Sequence, residues 1–113
     1  MTRTAPAWTP VCPVAAIAPE TGVAVLLEGG EQVAVFRSAD DTLRAIGNID
    51  PFSGAAVLAR GIVGDLGGVA VVASPMHKQR FDLSTGVCVD DPAVAVPTYP
   101  VRVRGATIEV GRP

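Results

Sequence analysis

Two short segments of the 113-residue chain decide the fold: Asn48-Ile49-Asp50-Pro51 and Ser74-Pro75-Met76-His77. Each follows an apolar run with the composition of a β-strand, residues 42–48 before the first and residues 69–74 before the second. The proline in each segment fixes its own φ angle and biases the preceding residue toward an extended backbone. We therefore predict two stiff loops, each at the end of a strand.

The remainder of the chain alternates short runs of Val, Ile, Ala and Phe with Gly, Asp and Pro, and helical periodicity is almost absent. This pattern predicts an all-β domain, a small barrel or sandwich built from many short strands. The clearest hairpin joins residues 22–28 to residues 31–37 through Gly29-Gly30, a pair that can adopt the positive φ angles of a two-residue turn. One short helical turn is expected within residues 13–19.

Three more strand pairs are expected, and the turn of each contains glycine. They are residues 61–65 with 69–74, residues 79–83 with 87–89, and residues 101–104 with 107–110. In the last pair Val101, Val103, Ile108 and Val110 alternate with polar residues. Each of these two strands is therefore expected to bury only one face.

The composition excludes intrinsic disorder. Hydrophobic residues make up 49% of the chain and charged residues 18%, which predicts a surface poor in charge and favours a protein that works with a partner. The net charge of −2 argues against nucleic-acid binding, which needs clustered Lys and Arg. The length suits one domain, so we expect a flexible N-terminus over residues 1–7 and a single domain over residues 8–113.

The N-terminal residues contain no apolar signal segment, and no stretch approaches the roughly 18 apolar residues of a membrane-spanning helix. We therefore expect a soluble, cytoplasmic protein with no membrane partner. Cys12 and Cys88 form no Cys-x-x-Cys pair, so two buried free thiols are predicted. A disulfide between them stays open, because it depends on their separation in space. Trp8, the only tryptophan, is expected to pack the first strand against the barrel.

The two loops resemble the ligand loops of Rieske iron–sulfur domains, which carry Cys-x-His and Cys-x-x-His. A Rieske cluster needs two thiolates on one iron and two imidazoles on the other. The corresponding positions here are Asn48, Asp50, Ser74 and His77, so only His77 matches a ligand. An amide, a carboxylate and a protonated hydroxyl do not suit iron that is bridged by sulfide. The resemblance implies a Rieske-like [2Fe-2S] domain fold with two loop tips at the former cluster site, but no cluster.

Five motifs follow one another along the chain: Trp8-Thr9-x-Val11-Cys12, Asn48-Ile49-Asp50-Pro51-Phe52, Ala73-Ser74-Pro75, Lys78-Gln79-Arg80-Phe81-Asp82-Leu83 and Thr85-Gly86-x-Cys88. In this order they resemble the small subunit of NAD(P)H-dependent nitrite reductase, a cluster-free branch of these proteins. The resemblance implies an accessory subunit with no catalytic residue of its own. In that family the large subunit carries FAD, siroheme and a [4Fe–4S] cluster and reduces nitrite to ammonia with NADH or NADPH. This chain has no dinucleotide-binding fingerprint, and its two cysteines cannot hold a cubane cluster.

Residues at and near the loop tips are the candidates for docking on the large subunit. They combine apolar side chains with positive charge, as protein interfaces often do. The candidates are Pro51, Phe52, Pro75, Met76, His77, Lys78 and Arg80. Stiff loops suit this role because they lose little conformational entropy on binding. Core packing for Phe52 and a solvated face for the cations are the simpler alternatives.

A second hypothesis is a Rieske-type, ferredoxin-like electron carrier or a mononuclear metal protein that uses Asp50, Ser74 and His77, since a histidine and a carboxylate can hold a divalent ion. Against it, the sequence supplies only two good ligands and nothing that orients His77. General acid–base catalysis by the same pair lacks a third residue to position a nucleophile. We therefore expect Asp50 and His77 to be solvated loop residues. An interaction module for another oxygenase or reductase is a third alternative.

Overall fold

A computed structural model of the chain describes residues 8–112 as ten β-strands and two short 3-10 helices. The strands are β1 (Trp8–Pro13), β2 (Thr21–Leu26), β3 (Gln32–Arg37), β4 (Leu43–Gly47), β5 (Ile62–Leu66), β6 (Val69–Ala73), β7 (Arg80–Asp82), β8 (Thr98–Tyr99), β9 (Val101–Arg104) and β10 (Thr107–Gly111). The 3-10 helices are Val14–Ala16, within the expected helical turn, and Leu58–Arg60. No helix within the described part of the chain is long and apolar enough to cross a membrane. The flexibility predicted for residues 1–7 lies outside the described residues.

The strands form three antiparallel sheets, in the orders β1-β10-β9, β2-β3-β4-β8 and β5-β6-β7. The predicted all-β fold is confirmed. The second sheet has an apolar cluster on each face, and β3 contributes to both: Ala34 and Phe36 pack toward β6 and β7, whereas Val33 and Val35 pack toward β10. All four side chains are fully buried. A strand buried on both faces has no reason to alternate with polar residues, which explains the uninterrupted apolar run of residues 33–36.

Two of the glycine turns differ in length. Gly67-Gly68, with φ angles of 59° and 92°, is a two-residue turn between β5 and β6. The two-residue turn predicted at Gly29-Gly30 is wrong: the N–H of Leu27 donates to the carbonyl of Glu31 at 2.8 Å, so that loop has three residues. The extra residue lets the N–H of Gly30 donate back to the Leu27 carbonyl at 3.0 Å, which satisfies the turn internally.

Edge positions account for the other differences from the predicted strands. Val103 is 48% exposed, so the prediction that β9 buries this valine is wrong; β9 pairs only with β10 and lies at the edge of its sheet.

Cys12 is half-buried because β1 is the other edge strand of that sheet, while Cys88 is fully buried in a different apolar cluster; both thiols are free. The segment predicted as a strand at residues 87–89 makes isolated bridges only. Trp8 packs against the guanidinium of Arg102, 4.1 Å above its ring, which fastens β1 to β9.

Candidate functional site

Two loops form the candidate site: loop 1 (residues 48–57), after β4, and loop 2 (residues 74–79), after β6. Main-chain hydrogen bonds hold each loop in shape. In loop 1 the N–H of Gly54 donates to the carbonyl of Asp50 at 2.7 Å. In loop 2 the N–H of Lys78 donates to the carbonyl of Ser74 at 2.9 Å. Lys78 takes a positive φ of 62° to complete that tight turn.

One buried hydrogen bond joins the two loops. The hydroxyl of Ser74 donates to Oδ2 of Asp50 at 2.5 Å, and the two residues are 1% and 0% exposed. The second carboxylate oxygen, Oδ1, accepts from the N–H of Phe52 at 2.8 Å. The N–H of Met76 donates to Oγ of Ser74 at 3.3 Å. A single carboxylate therefore fixes the backbone of both loops, directly at Phe52 and through Ser74 at Met76.

Asn48, the first of the four positions that resemble ligands, has a different role. Its side chain is buried, and Oδ1 accepts from the N–H of Ala59 at 2.8 Å. Its main chain is also fully used, since the N–H donates to the carbonyl of Gln32 and the carbonyl accepts from the N–H of Leu58, both at 3.0 Å. Asn48 therefore anchors loop 1 to the second 3-10 helix and to the start of β3.

The environment of Asp50 favours its charged form. Burial by itself raises the pKa of this carboxyl, but the hydrogen bonds from Ser74 and from the N–H groups of Phe52 and Ser53, with the nearby His77, outweigh burial and hold the pKa below its usual value. Asp50 is therefore a buried carboxylate at neutral pH. The expectation that Asp50 is a solvated loop residue is wrong, while His77 is exposed as expected.

Around this buried pair, the loops present an exposed surface that we call the tip surface. Its members share exposure and lie on the two loops: Ile49, Pro51, Phe52, Pro75, Met76, His77 and Lys78. Met76 is 48% exposed and Ile49 46%. Phe52 both faces solvent and packs inward, since its ring lies 6.2 Å from that of the buried Phe81. An apolar patch presented on stiff loops is typical of a site for a protein partner.

Arg80, the last docking candidate, is partly engaged within the domain. Its guanidinium lies 2.7 Å from Oδ1 of Asp90, and its main-chain N–H donates to Oδ2 of the same residue at 2.8 Å. These contacts fasten the start of β7 to the segment after Cys88. The exposed Val89 lies beside them, because its N–H donates to the Arg80 carbonyl.

Comparison with known proteins identifies the family. A model described as the Rieske-like [2Fe-2S] domain matches residues 7–111. The nitrite reductase (NADH) small subunit of Escherichia coli strain K12 is 45% identical over 104 residues, which cover 91% of this chain and 95% of that protein. This chain belongs to the nitrite reductase small subunit family. A crystal structure described as an NADH-dependent nitrite reductase small subunit from Mycobacterium tuberculosis has 54% identity and a TM-score of 0.91, covering 94% and 95% of the two chains.

A third relative joins the small-subunit family to a larger protein. The nitrite reductase [NAD(P)H] large subunit of Klebsiella oxytoca contains a segment that is 39% identical to this chain over 104 residues. That match covers 92% of this chain but only 11% of the Klebsiella protein. In that relative a domain of the small-subunit type is thus part of the large-subunit polypeptide.

The donors at the four ligand positions of this family member do not fit a [2Fe–2S] cluster. The oxygens of Asn48, Asp50 and Ser74 already accept or donate hydrogen bonds within the protein, and none of the three residues is a thiolate or an imidazole. Within residues 8–112, no three His, Cys, Asp or Glu side chains are grouped so as to hold a metal ion. Of the four positions, only His77 has a side chain of the kind that binds a Rieske cluster.

Both loops follow strands, as predicted, and six of the seven docking candidates, all except Arg80, are exposed on them. Ile49, between the buried Asn48 and Asp50, is exposed on the same surface but was not among the candidates. The alternation of buried and exposed positions expected for extended backbone could have found it. The contact between Asp50 and Ser74 could not be read from the chain, because 24 residues separate them.

Proposed function

We propose that this chain is the accessory small subunit of an NAD(P)H-dependent nitrite reductase and that it binds the large subunit through the tip surface, without a redox centre of its own. The observation that carries the proposal is the Asp50–Ser74 hydrogen bond. This bond engages Asp50 and Ser74, two of the four positions that resemble cluster ligands, within the protein. The same two side chains also accept from the N–H groups of Phe52 and Met76 and so hold these residues in exposed positions.

The choice of partner is supported by the Klebsiella relative. When a domain of this type is part of a large-subunit polypeptide, the two are held together permanently, which is of use only if they work side by side. A separate small subunit of the same family has to reach the same arrangement through a non-covalent interface. We place that interface at the tip surface because it combines exposed Phe52 and Met76 with the cation Lys78.

The hydrogen bonds beneath the tip surface lower the cost of docking. Loops that are already ordered do not lose further conformational freedom when a partner binds, so more of the gain from burying Phe52 and Met76 remains as affinity. In a cluster-bearing relative the metal centre would join the two loops. Here Asp50 and Ser74 join them instead.

The small subunit would act on the large subunit by thermodynamic linkage. Binding only the folded, active arrangement of the partner shifts its population toward that arrangement. FAD, siroheme, the [4Fe–4S] cluster and the NAD(P)H site belong to the large subunit in this proposal. No electron passes through this chain, and the complex works in the cytoplasm.

The test compares Met76→Ala with Val103→Ala, because both side chains are 48% exposed and only Met76 lies on the tip surface. Binding to the purified large subunit is measured by titration calorimetry, and nitrite-dependent NADH oxidation is measured on the same samples. We expect Met76→Ala to weaken binding about 5- to 30-fold, as for a residue near the centre of an interface, and Val103→Ala to change it less than about 2-fold.

Two results would overturn the proposal. One is wild-type affinity for both Met76→Ala and Phe52→Ala. The other is a large subunit whose stability and nitrite-dependent activity are the same with and without this chain.

A further inference from the structure

The chain has eleven acidic residues, and four of them form ion pairs within the described residues: Asp41 with Arg37, Asp90 with Arg80, Glu109 with Arg102 and Glu31 with Arg112. The other seven have no Lys, Arg or His nitrogen within 4 Å among residues 8–112, and four of these seven line one groove: Glu20, Asp40, Asp65 and Asp82. The remaining three, Glu28, Asp50 and Asp91, lie outside it. Four carboxylates without an ion-pair partner thus share one concave site in a chain whose net charge is only −2, and a concave site focuses their field.

The groove has a volume of about 580 Å³ and lies between the β3–β4 turn and the sheet β5-β6-β7. The groove and the tip surface lie at opposite ends of β4 and β6, because the first residues of these two strands line the groove, whereas loops 1 and 2 follow their last residues. Among the described residues, the wall contains one cation, Arg44. Four carboxylates and one guanidinium give the wall a charge of −3 at neutral pH, more negative than the whole chain.

Turn hydrogen bonds hold three of the carboxylates in place. The main-chain N–H groups of Thr42, Gly68 and Ser84 donate to Asp40, Asp65 and Asp82 at 3.1, 3.1 and 2.7 Å. Each bond uses one oxygen, and the second oxygens of Asp65 and Asp82 have no hydrogen-bond partner among the described residues. The negative charges are therefore fixed before any ligand binds, which lowers the entropic cost of binding.

Two polar atoms of the same wall lack partners. Oγ of Ser38, a residue that is nine-tenths buried, and Nε of Arg44 are both buried and make no hydrogen bond within the described residues. Buried polar atoms normally find a partner, and each of these two can donate. A ligand that completes the wall therefore supplies hydrogen-bond acceptors as well as positive charge.

We propose that this groove is a second docking site and that it takes a lysine or arginine side chain on an extended segment of the large subunit. The basic side chain pairs with Asp65 and Asp82, while main-chain carbonyls of the segment accept from Ser38 and Arg44. A bare metal ion fits less well, since a guanidinium stands in the wall and the described residues hold no metal-binding group. The inference rests on the proposed function. In the Klebsiella relative, the domain of this type makes up only 11% of the large-subunit polypeptide. A large subunit is therefore big enough to contact both the tip surface and the groove.

The test uses the double variant Asp65→Asn/Asp82→Asn, because asparagine keeps the turn hydrogen bonds and removes only the charges. The matched control is Asp91→Asn, an exposed aspartate that caps a turn in the same way, at 3.3 Å from the N–H of Ala93, but lies outside the groove. Dissociation constants for the purified large subunit are measured from 25 to 400 mM salt, with thermal melts as a check on folding. Glu20→Gln is a second groove variant whose side chain makes no hydrogen bond within residues 8–112.

We expect the double variant to weaken binding roughly 3- to 30-fold at low salt and to flatten the dependence of log Kd on log salt, whereas Asp91→Asn leaves both unchanged. Glu20→Gln shifts both in the same direction by a smaller factor. Wild-type affinity and wild-type salt dependence in the folded groove variants would overturn the inference. Failure of the proposed docking at the tip surface would be recognised separately. Met76→Ala tests that docking through affinity alone, because an apolar substitution leaves the salt dependence of binding unchanged.

Discussion

Replacing Asp50 by alanine is expected to destabilise the domain strongly, although this carboxylate lies in a loop. The substitution removes the hydrogen bonds from Ser74 at 2.5 Å and from the N–H of Phe52 at 2.8 Å. Bonds to a charged group contribute about 1.5–3 kcal/mol each, and relief of the buried charge offsets part of their loss. The free energy of unfolding should therefore fall by about 2–4 kcal/mol. For a domain of this size that corresponds to a decrease in Tm of roughly 10–20 °C.

A double-mutant cycle separates the contact between the loops from other effects of the substitution. Ser74→Ala leaves a buried carboxylate oxygen without its donor and should cost about 2–3 kcal/mol. If the two residues act through the same bond, the double variant Asp50→Ala/Ser74→Ala loses less than the sum of the single variants, by about 1–2 kcal/mol. Unfolding in urea, followed by circular dichroism, gives all four free energies.

The control is Asp91→Ala, which removes an exposed carboxylate that also caps a turn. It should change the unfolding free energy by no more than about 0.5 kcal/mol. Additive single variants, or an Asp50→Ala variant no less stable than Asp91→Ala, would refute the reasoning that this hydrogen bond joins the two loops.

Two further predictions concern pH and backbone strain. Because the folded-state pKa of Asp50 is lowered, its contribution to stability is present above the ordinary carboxyl pKa of about 3.9 and is lost as the pH falls through the lowered folded-state value. Below about pH 4 the free energy of unfolding, measured in urea, should therefore fall less in Asp50→Asn than in the wild type. Identical pH profiles of the two proteins would contradict this. Gly86→Ala should cost about 2–4 kcal/mol, because φ is +76° and a Cβ would collide with the Val96 carbonyl oxygen. Gly67→Ala isolates the cost of a positive φ angle, about 1 kcal/mol, since its Cβ would meet nothing within 4 Å. Equal losses of stability for the two variants in thermal melts would exclude the collision at Gly86.

Most of the strands were predictable because the local sequence carries a signal for them, although the two-residue β8 was not predicted. Alternation of apolar and polar residues marks β10, and the glycine pair Gly67-Gly68 marks the turn before β6. Val103 shows the limit of this reasoning. The pattern of β9 matches that of a half-buried strand, but burial depends on what covers the strand, and nothing in a local pattern states that β9 lies at an edge.

The candidate site shows the same limit more clearly. Its position follows from the two loop motifs, and its exposed side chains follow from their place at the tips. The burial of Asp50 does not, since a carboxylate in a polar loop is usually solvated. Only the approach of Ser74 from the other loop, with the N–H of Phe52, makes a buried charge tolerable there.

The central claim is that hydrogen bonds within the protein replace an iron–sulfur centre between the two loops. The most direct measurement is iron and sulfide analysis of the chain purified without oxygen, with an electron paramagnetic resonance spectrum after dithionite reduction. We predict a colourless, folded protein with no stoichiometric iron and no signal. Stoichiometric iron, or a reduced spectrum of the Rieske type that disappears in His77→Ala, would contradict the account.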